Sequence, residues 1–183
     1  MSKQLKTIYS KNILQKDVKV EMRYIGSNLT DIITEKLKKK LEGKCSKEGY
    51  IKNGSIVVIN YSSGILSNKY VTFNVSFECL VCRPVEGAQI KCKVNNVTKA
   101  GIRASYASQG ESPIIVFVAR DHYYLDPVFT KIQENDEIVV KIIGSRYELN
   151  DTNIYTIGEV LRLKKFRKTN KSVKTKRKLK ITK

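Results

Sequence analysis

The stretch from Phe77 to Ala104, FECLVCRPVEGAQIKCKVNNVTKAGIRA, constrains the fold more than any other part of the 183-residue chain. An apolar run enters Arg83-Pro84. The alternation Ile90, Cys92, Val94 follows Gly87, and Gly101-Ile102 opens a further run. Period-two alternation marks half-buried strands, and the glycines mark the turns between them. Proline cannot donate to a β-ladder, so Pro84 closes one strand before the next begins. The run after Gly87 therefore predicts the first two strands of a small barrel. Small, partly open barrels are common binders of single-stranded nucleic acid.

The rest of the barrel follows from the same pattern. Strands are expected at about 88–97, 101–107, 113–119, 136–147 and 153–163, with the connector Arg120 to Gln133 carrying a short turn around Asp126-Pro127. Ahead of the barrel, Val18, Val20, Met22 and Tyr24 alternate and predict a strand over Asp17–Ile25. Leu29, Ile33, Leu37 and Leu41 fall on one helical stripe, with Asn28 as a capping residue and Gly43 as a C-terminal stop. Tyr50-Ile51, Ser55–Tyr61 and Tyr70–Cys82 read as further strands, with Ser62–Lys69 as the turn between the last two. The expected fold is an α+β N-terminal tip domain, a helix on an antiparallel sheet, followed by an all-β five-stranded OB barrel. The expected divisions are 1–15, a polar extension; 16–83, the tip; 84–163, the barrel; and 164–183, a basic tail, with strand Tyr70–Cys82 as the junction.

Charge is unevenly distributed. The net charge is +18, and 12 of the 35 Lys and Arg fall between Arg162 and Lys183, where there is no acid. The other 23 face 17 acids, so the folded part is only mildly basic. A tail of this kind favours a polyanion, most simply nucleic acid. The bland alternative is a solubilising tail. No apolar run approaches a membrane span, and the first residues lack the apolar core of a secretory signal. Cys45, Cys79, Cys82 and Cys92 lie in apolar segments rather than in a disulfide framework, which suits an intracellular, reducing compartment.

Little in the chain points to catalysis. The spacing Cys79-Leu-Val-Cys82 resembles a metal knuckle, yet inside a strand it sends the two thiols to opposite faces, and no second pair exists. Small apolar strand residues are the better reading, so no metal and no cofactor is expected. One histidine, His122, excludes most His-dependent schemes. GxxxxGK[ST], GxSxG and HExxH are all absent, and Glu134-Asn-Asp-Glu137 reads as a solvated turn. The binding face is more informative. OB barrels hold single strands with aromatic platforms and basic residues, mostly on strands two and three. The candidates are Arg103 and Tyr106 on strand two, Phe117, Arg120, His122 and Tyr123 on or after strand three, and Arg146 with Tyr147 ending strand four. Each is weighed against the reading that a barrel aromatic is simply core or loop.

The order of several segments resembles a known family. Leu41-Glu-Gly-Lys-Cys45 and Glu48-Gly-Tyr-Ile51 follow an amphipathic helix. The turn Gly64-Ile-Leu66 precedes the strand into Arg83-Pro-Val-Glu-Gly87. Val94 to Gly101 follows, and Ile154-Tyr-Thr-Ile-Gly158 closes the pattern. Together they resemble the stalk subunit of multisubunit DNA-dependent RNA polymerases, the seventh subunit of polymerase II and its archaeal counterpart, over about Val18 to Leu163. The resemblance implies a non-catalytic two-domain rod. Its tip docks on the polymerase core near the clamp, its barrel lies near nascent RNA, and it pairs with a smaller helical stalk subunit. By position it assigns Gly64, Ile65 and Leu66 to the core contact, Phe117 to the barrel aromatic, and Arg120 or His122 to the basic position after it.

The chain departs from that pattern in three places. The family begins near Asp17, so the N-terminal extension is extra. The tip loop Ser62–Lys69 lacks proline, and the basic tail is extra as well. Twenty Ile and twelve Asn indicate an AT-rich genome, compatible with a divergent eukaryote or a large DNA virus. The expected location is the nucleus for a cellular polymerase and the virion or host cytoplasm for a viral one. The rival reading is a free-standing OB-fold RNA-binding factor in translation or RNA decay, which would need no docking surface on its first domain.

Overall fold

The computed structural model describes residues 8–26, 28–107, 112–123 and 129–164. A first layer holds strand β1 (Tyr9–Glu21), helix α1 (Leu29–Leu41) and strands β2 (Cys45–Ser46), β3 (Gly49–Ile51), β4 (Val57–Tyr61), β5 (Ile65–Ser67) and β6 (Tyr70–Cys82). A second unit holds β7 (Gln89–Val97), β8 (Gly101–Tyr106), β9 (Ile114–Ala119), β10 (Glu137–Arg146) and β11 (Ile154–Lys164).

Strand β6 is the spine of the first layer. It spans 13 residues, and β1 runs antiparallel along all of it, from Tyr9↔Cys82 to Glu21↔Tyr70. On its other side β5, β4 and β3 pair with successive parts of it. The alternation Val71, Phe73, Val75, Phe77, Cys79, Val81 turns one face inward, where Ile33 and Leu37 of α1 cover it. Helix α1 ends at Leu41, and Gly43 follows at φ 71°, the left-handed conformation that lets the chain turn away. Lys38, Lys39 and Lys40 occupy its last turn, where a cation meets the negative end of the helix dipole.

Three details differ from the sequence expectation. Strand β1 starts at Tyr9 rather than Asp17, and it yields at Glu21 to a single 3-10 turn, Met22–Tyr24. The early polar residues carry no hydrophobic period, but the ladder needs only backbone groups, and β6 supplies a partner for each of them. Because β1 is an edge strand, its polar side chains keep their water. The segment Ser62–Lys69 is not a plain turn, because Ile65–Ser67 pair with β6 and the reversal narrows to Asn68-Lys69. Asn68 sits at φ 54°, which asparagine tolerates better than most residues. Finally, Cys45–Ser46 form a two-residue strand, too short to leave any period in the sequence.

The second unit is a closed barrel in the order β10-β11-β9-β8-β7, with β7 also paired to β10. Only the β9–β11 contact is parallel. Ile90, Cys92, Val94, Ile102, Ala104, Val116, Val118, Val140 and Ile154 fill its interior. Among the described residues the connector after β9 makes two 3-10 turns, Arg120–Tyr123 and Phe129–Lys131, and Phe129 and Ile132 pack into the barrel core, while Asp126-Pro127 lies outside the described residues.

The junction is β6 itself. Val81 packs in the tip core, and Cys82, one residue on, packs in the barrel core. At the far edge of the sheet the Cys45 N–H donates to the Asp151 carbonyl at 2.8 Å, and the Asn150 N–H donates to the Cys45 carbonyl at 2.9 Å. Cys79 and Cys82 thus face different cores. All four cysteines are buried thiols, and burial pushes Cys82 and Cys92 up to about 12. The basic tail and the first seven residues of the extension lie outside the described residues.

Candidate docking surface and candidate nucleic-acid interface

Strand β6, whose 13 residues at about 3.3 Å each span about 40 Å, runs from a distal group of exposed apolar residues to its entry into the barrel core at Cys82. At the distal end Glu21 pairs with Tyr70, and the Met22 N–H donates to the Lys69 carbonyl at 3.0 Å. This brings Met22, Tyr24 and Ile25 to the end of the sheet that carries Ile65, Leu66 and Tyr70. All six are exposed, Ile65 to 73% and Leu66 to 60%. The guanidinium of Arg23 lies 4.7 Å from the Tyr24 ring centre and also pairs with Glu21 at 2.7 Å. Gly64 has a different task. A Cβ added there would collide with Val71 Cγ1 and lie 2.8 Å from Phe73 Cε1, so its lack of a side chain lets the β5 hairpin close onto β6. Sequence reasoning named Ile65 and Leu66 but missed Met22, Tyr24, Ile25 and Tyr70. The early turn after β1 is what swings the first three to this end.

On the barrel, Arg103 of β8 stands directly opposite Phe117 of β9, and Phe117 is directly beside Ile157 of β11. The next row holds Ser105, Ile115, Tyr155 and Arg146. Phe117, Ile157 and Tyr155 are exposed at 40%, 52% and 54%. The Phe117 ring leans over Gly101, where an added Cβ would lie 2.9 Å from its Cζ and collide with the Val118 carbonyl oxygen. The ring thus rests against Gly101 while remaining exposed to water. Phe117 and Tyr155, with Arg103 and Arg146 beside them, give this face exposed aromatic rings next to cations.

The other sequence candidates fall elsewhere. Tyr106 is half-buried and packs against the barrel core. Arg120 donates from Nη2 to the Thr98 carbonyl at 3.1 Å and lies 5.4 Å from the Phe129 ring centre, which ties the β7–β8 turn to the connector. Arg146 forms an exposed ion pair with Glu148 at 3.1 Å, weak enough to exchange for a phosphate. The Tyr147 hydroxyl donates to the Lys47 carbonyl at 3.2 Å, across the junction. His122 and Tyr123 stand in the 3-10 turn after β9, and their side chains lie outside the described residues. Sequence reasoning missed Tyr155 and Ile157, although Ile154-Tyr-Thr-Ile-Gly158 carried the signal. Ile154, Thr156 and Gly158 point inward, so Tyr155 and Ile157 point out.

A groove of about 450 Å³ opens at the junction, lined among others by Leu14, Leu41, Leu149, Lys16, Lys40 and Lys47. Among the described residues no three His, Cys, Asp or Glu side chains gather closely enough to hold a metal ion, and no helix is long and apolar enough to cross a membrane.

No family model matches the chain. It is 31% identical over 169 residues to DNA-directed RNA polymerase II subunit RPB7 of Glycine max, covering 81% of this chain and 89% of the soybean protein. It is 27% identical over 164 residues to DNA-directed RNA polymerase II subunit rpb7 of Dictyostelium discoideum, covering 80% and 91%. It is also 26% identical over 171 residues to an RNA polymerase subunit of Acanthamoeba polyphaga mimivirus, covering 85% and 83%.

Proposed function

The chain belongs to the family of RNA polymerase II subunit 7, and from that premise we propose that it is a non-catalytic stalk subunit that docks through its tip and offers its barrel to nascent RNA. The observation that carries this reading is the exposed apolar cluster at the distal end of the tip, at the end of β6 remote from the barrel. Exposed apolar side chains gathered at one end of a sheet suit a protein partner, and a free-standing RNA-binding factor has no use for them there. The polymerase core is the partner proposed for it, with Ile65 and Leu66 central to the contact. Phe117 and Tyr155 are the proposed stacking residues for single-stranded RNA, and Arg103 and Arg146 the proposed phosphate contacts. The arginine-lysine tail adds further phosphate contacts. The groove at the junction, lined by apolar and polar side chains with three lysines among them, is the seat proposed for the smaller helical stalk subunit. The location follows the polymerase: the nucleus for a cellular enzyme, the virion or host cytoplasm for a viral one.

Co-purification with the core polymerase tests the reading. The Ile65→Glu, Leu66→Glu double variant is expected to leave the core while keeping the circular dichroism spectrum and melting temperature of the parent, because both side chains are largely solvated already. Undiminished co-purification would refute the docking assignment.

A further inference from the structure

We infer that residues 8–11 form a splint that locks the tip to the barrel, so that the two lobes turn as one body. Tyr9 pairs with Cys82, the last residue of β6, and the Ser10 hydroxyl donates to the Val81 carbonyl at 3.3 Å. Ile8 and Tyr9 then pack against the barrel core, whereas Leu14, Val18 and Val20 of the same strand pack in the tip core. One continuous strand therefore reaches both cores. Tyr9 has Tyr50 of β3 and Tyr106 of β8 as neighbours, and Lys52 Nζ lies 5.3 Å from its ring centre. Burial raises the Tyr9 phenol far above its ordinary value, with Cys82, Tyr50 and Tyr106 adding to the shift, so the ring stays neutral at physiological pH.

Without this segment the lobes are joined by the chain crossing after Cys82, by Cys45 and Tyr50 packed with Cys82 in the barrel core, and by the bonds of Cys45 and Lys47 with the β10–β11 loop. Those bonds sit at the β2 edge of the sheet, and β1 is the opposite edge. A joint fastened along one edge can hinge about it. Fastened along both, it cannot open without uncovering Ile8 and Tyr9. Stiffness has leverage here, because the distal residues lie the length of β6 from the junction at Cys82.

Backbone ¹⁵N relaxation of the full chain tests the inference. Tip and barrel amides are expected to share one correlation time. Deletion of residues 1–11, and separately Tyr9→Ala, should make the two values differ by at least 1.3-fold, whereas Tyr9→Phe should behave as the parent. A single correlation time in both loosening variants overturns the splint. Hydrogen exchange in the unaltered protein decides the matter if a variant does not fold. The ladder amides between Tyr9 and Asn12 should exchange within tenfold of those of Val75 and Phe77. Exchange more than a hundredfold faster overturns it.

Discussion

At the scale of single residues, two phenylalanines separate binding from stability. Phe77 is 1% exposed in the middle of the tip core, and Phe117 is 40% exposed on the barrel. Truncating a buried phenylalanine removes its transfer free energy and leaves a cavity, so Phe77→Ala should cost about 3–5 kcal/mol in urea or thermal unfolding. Phe117→Ala should cost far less stability but weaken single-stranded RNA binding by the stacking of one base, about 1–3 kcal/mol, read from a titration of labelled RNA. Equal binding by the variant would return Phe117 to a merely structural role. The cysteines give a pH prediction with a definite sign. Burial raises the Cys92 thiol from 9.0 to about 12, so the fold favours the neutral form. Its contribution to stability is complete below about pH 9 and is lost as pH rises toward 12, as the unfolded thiol ionises first. A thiol reagent at pH 8 should therefore label none of the four cysteines until denaturant is added. Parity explains what could be read of the barrel site. Ile102 and Ala104 point inward, so Tyr106, at the same parity, points inward too, while Arg103 points out. The alternation was in the sequence. Which aromatics share a row with Arg103 was not, because that depends on the register of β8, β9 and β11.

Among elements, length decided what the sequence could reveal. Strand β6 is legible to its ends because its alternation runs through 13 residues, between Asn68-Lys69 and Arg83-Pro84. The barrel strands are legible within a residue or two for the same reason. Strand β5 has only three residues, and its pairing is imposed by β6 across the left-handed Asn68. The polar half of β1 is invisible because an edge strand with one solvated face needs no apolar side chains. Gly64 gives a test at this scale. Even one added methyl would collide with Val71 and Phe73, so Gly64→Ala should destabilise the tip by about 1–3 kcal/mol through overpacking. Chemical denaturation measures this, and an unchanged midpoint would show that the β5 hairpin rides free of β6. Gly64 thus supports the docking patch by holding the strand that displays Ile65 and Leu66, without itself needing to touch a partner.

For the whole molecule, the question is how barrel and tail would share one RNA. Strand β11 runs from Ile157, on the binding face, to Lys164, about 23 Å further along at the usual strand rise. The tail therefore leaves the fold well away from Phe117 and Tyr155. Sites more than about 7–10 Å apart that touch separate nucleotides contribute additively. The two contributions also respond differently to salt. Phosphate contacts release counterions, with a slope of log K against log salt near −0.7 per contact for single strands, whereas stacking carries almost no such slope. Deleting Lys168 to Lys183 removes eight Lys and Arg, and should weaken RNA binding at low salt and flatten the slope by several units. Phe117→Ala with Tyr155→Ala should weaken binding at every salt concentration and leave the slope nearly intact. Combining the two changes should lose the sum of both free energies. Titration of fluorescent single-stranded RNA at four salt concentrations measures all three. An unchanged slope after the deletion removes the tail from the interface. An unchanged affinity in the aromatic double variant removes the barrel face. A combined loss well short of the sum means that tail and barrel meet the same nucleotides, so that the chain holds RNA at one place rather than along a path.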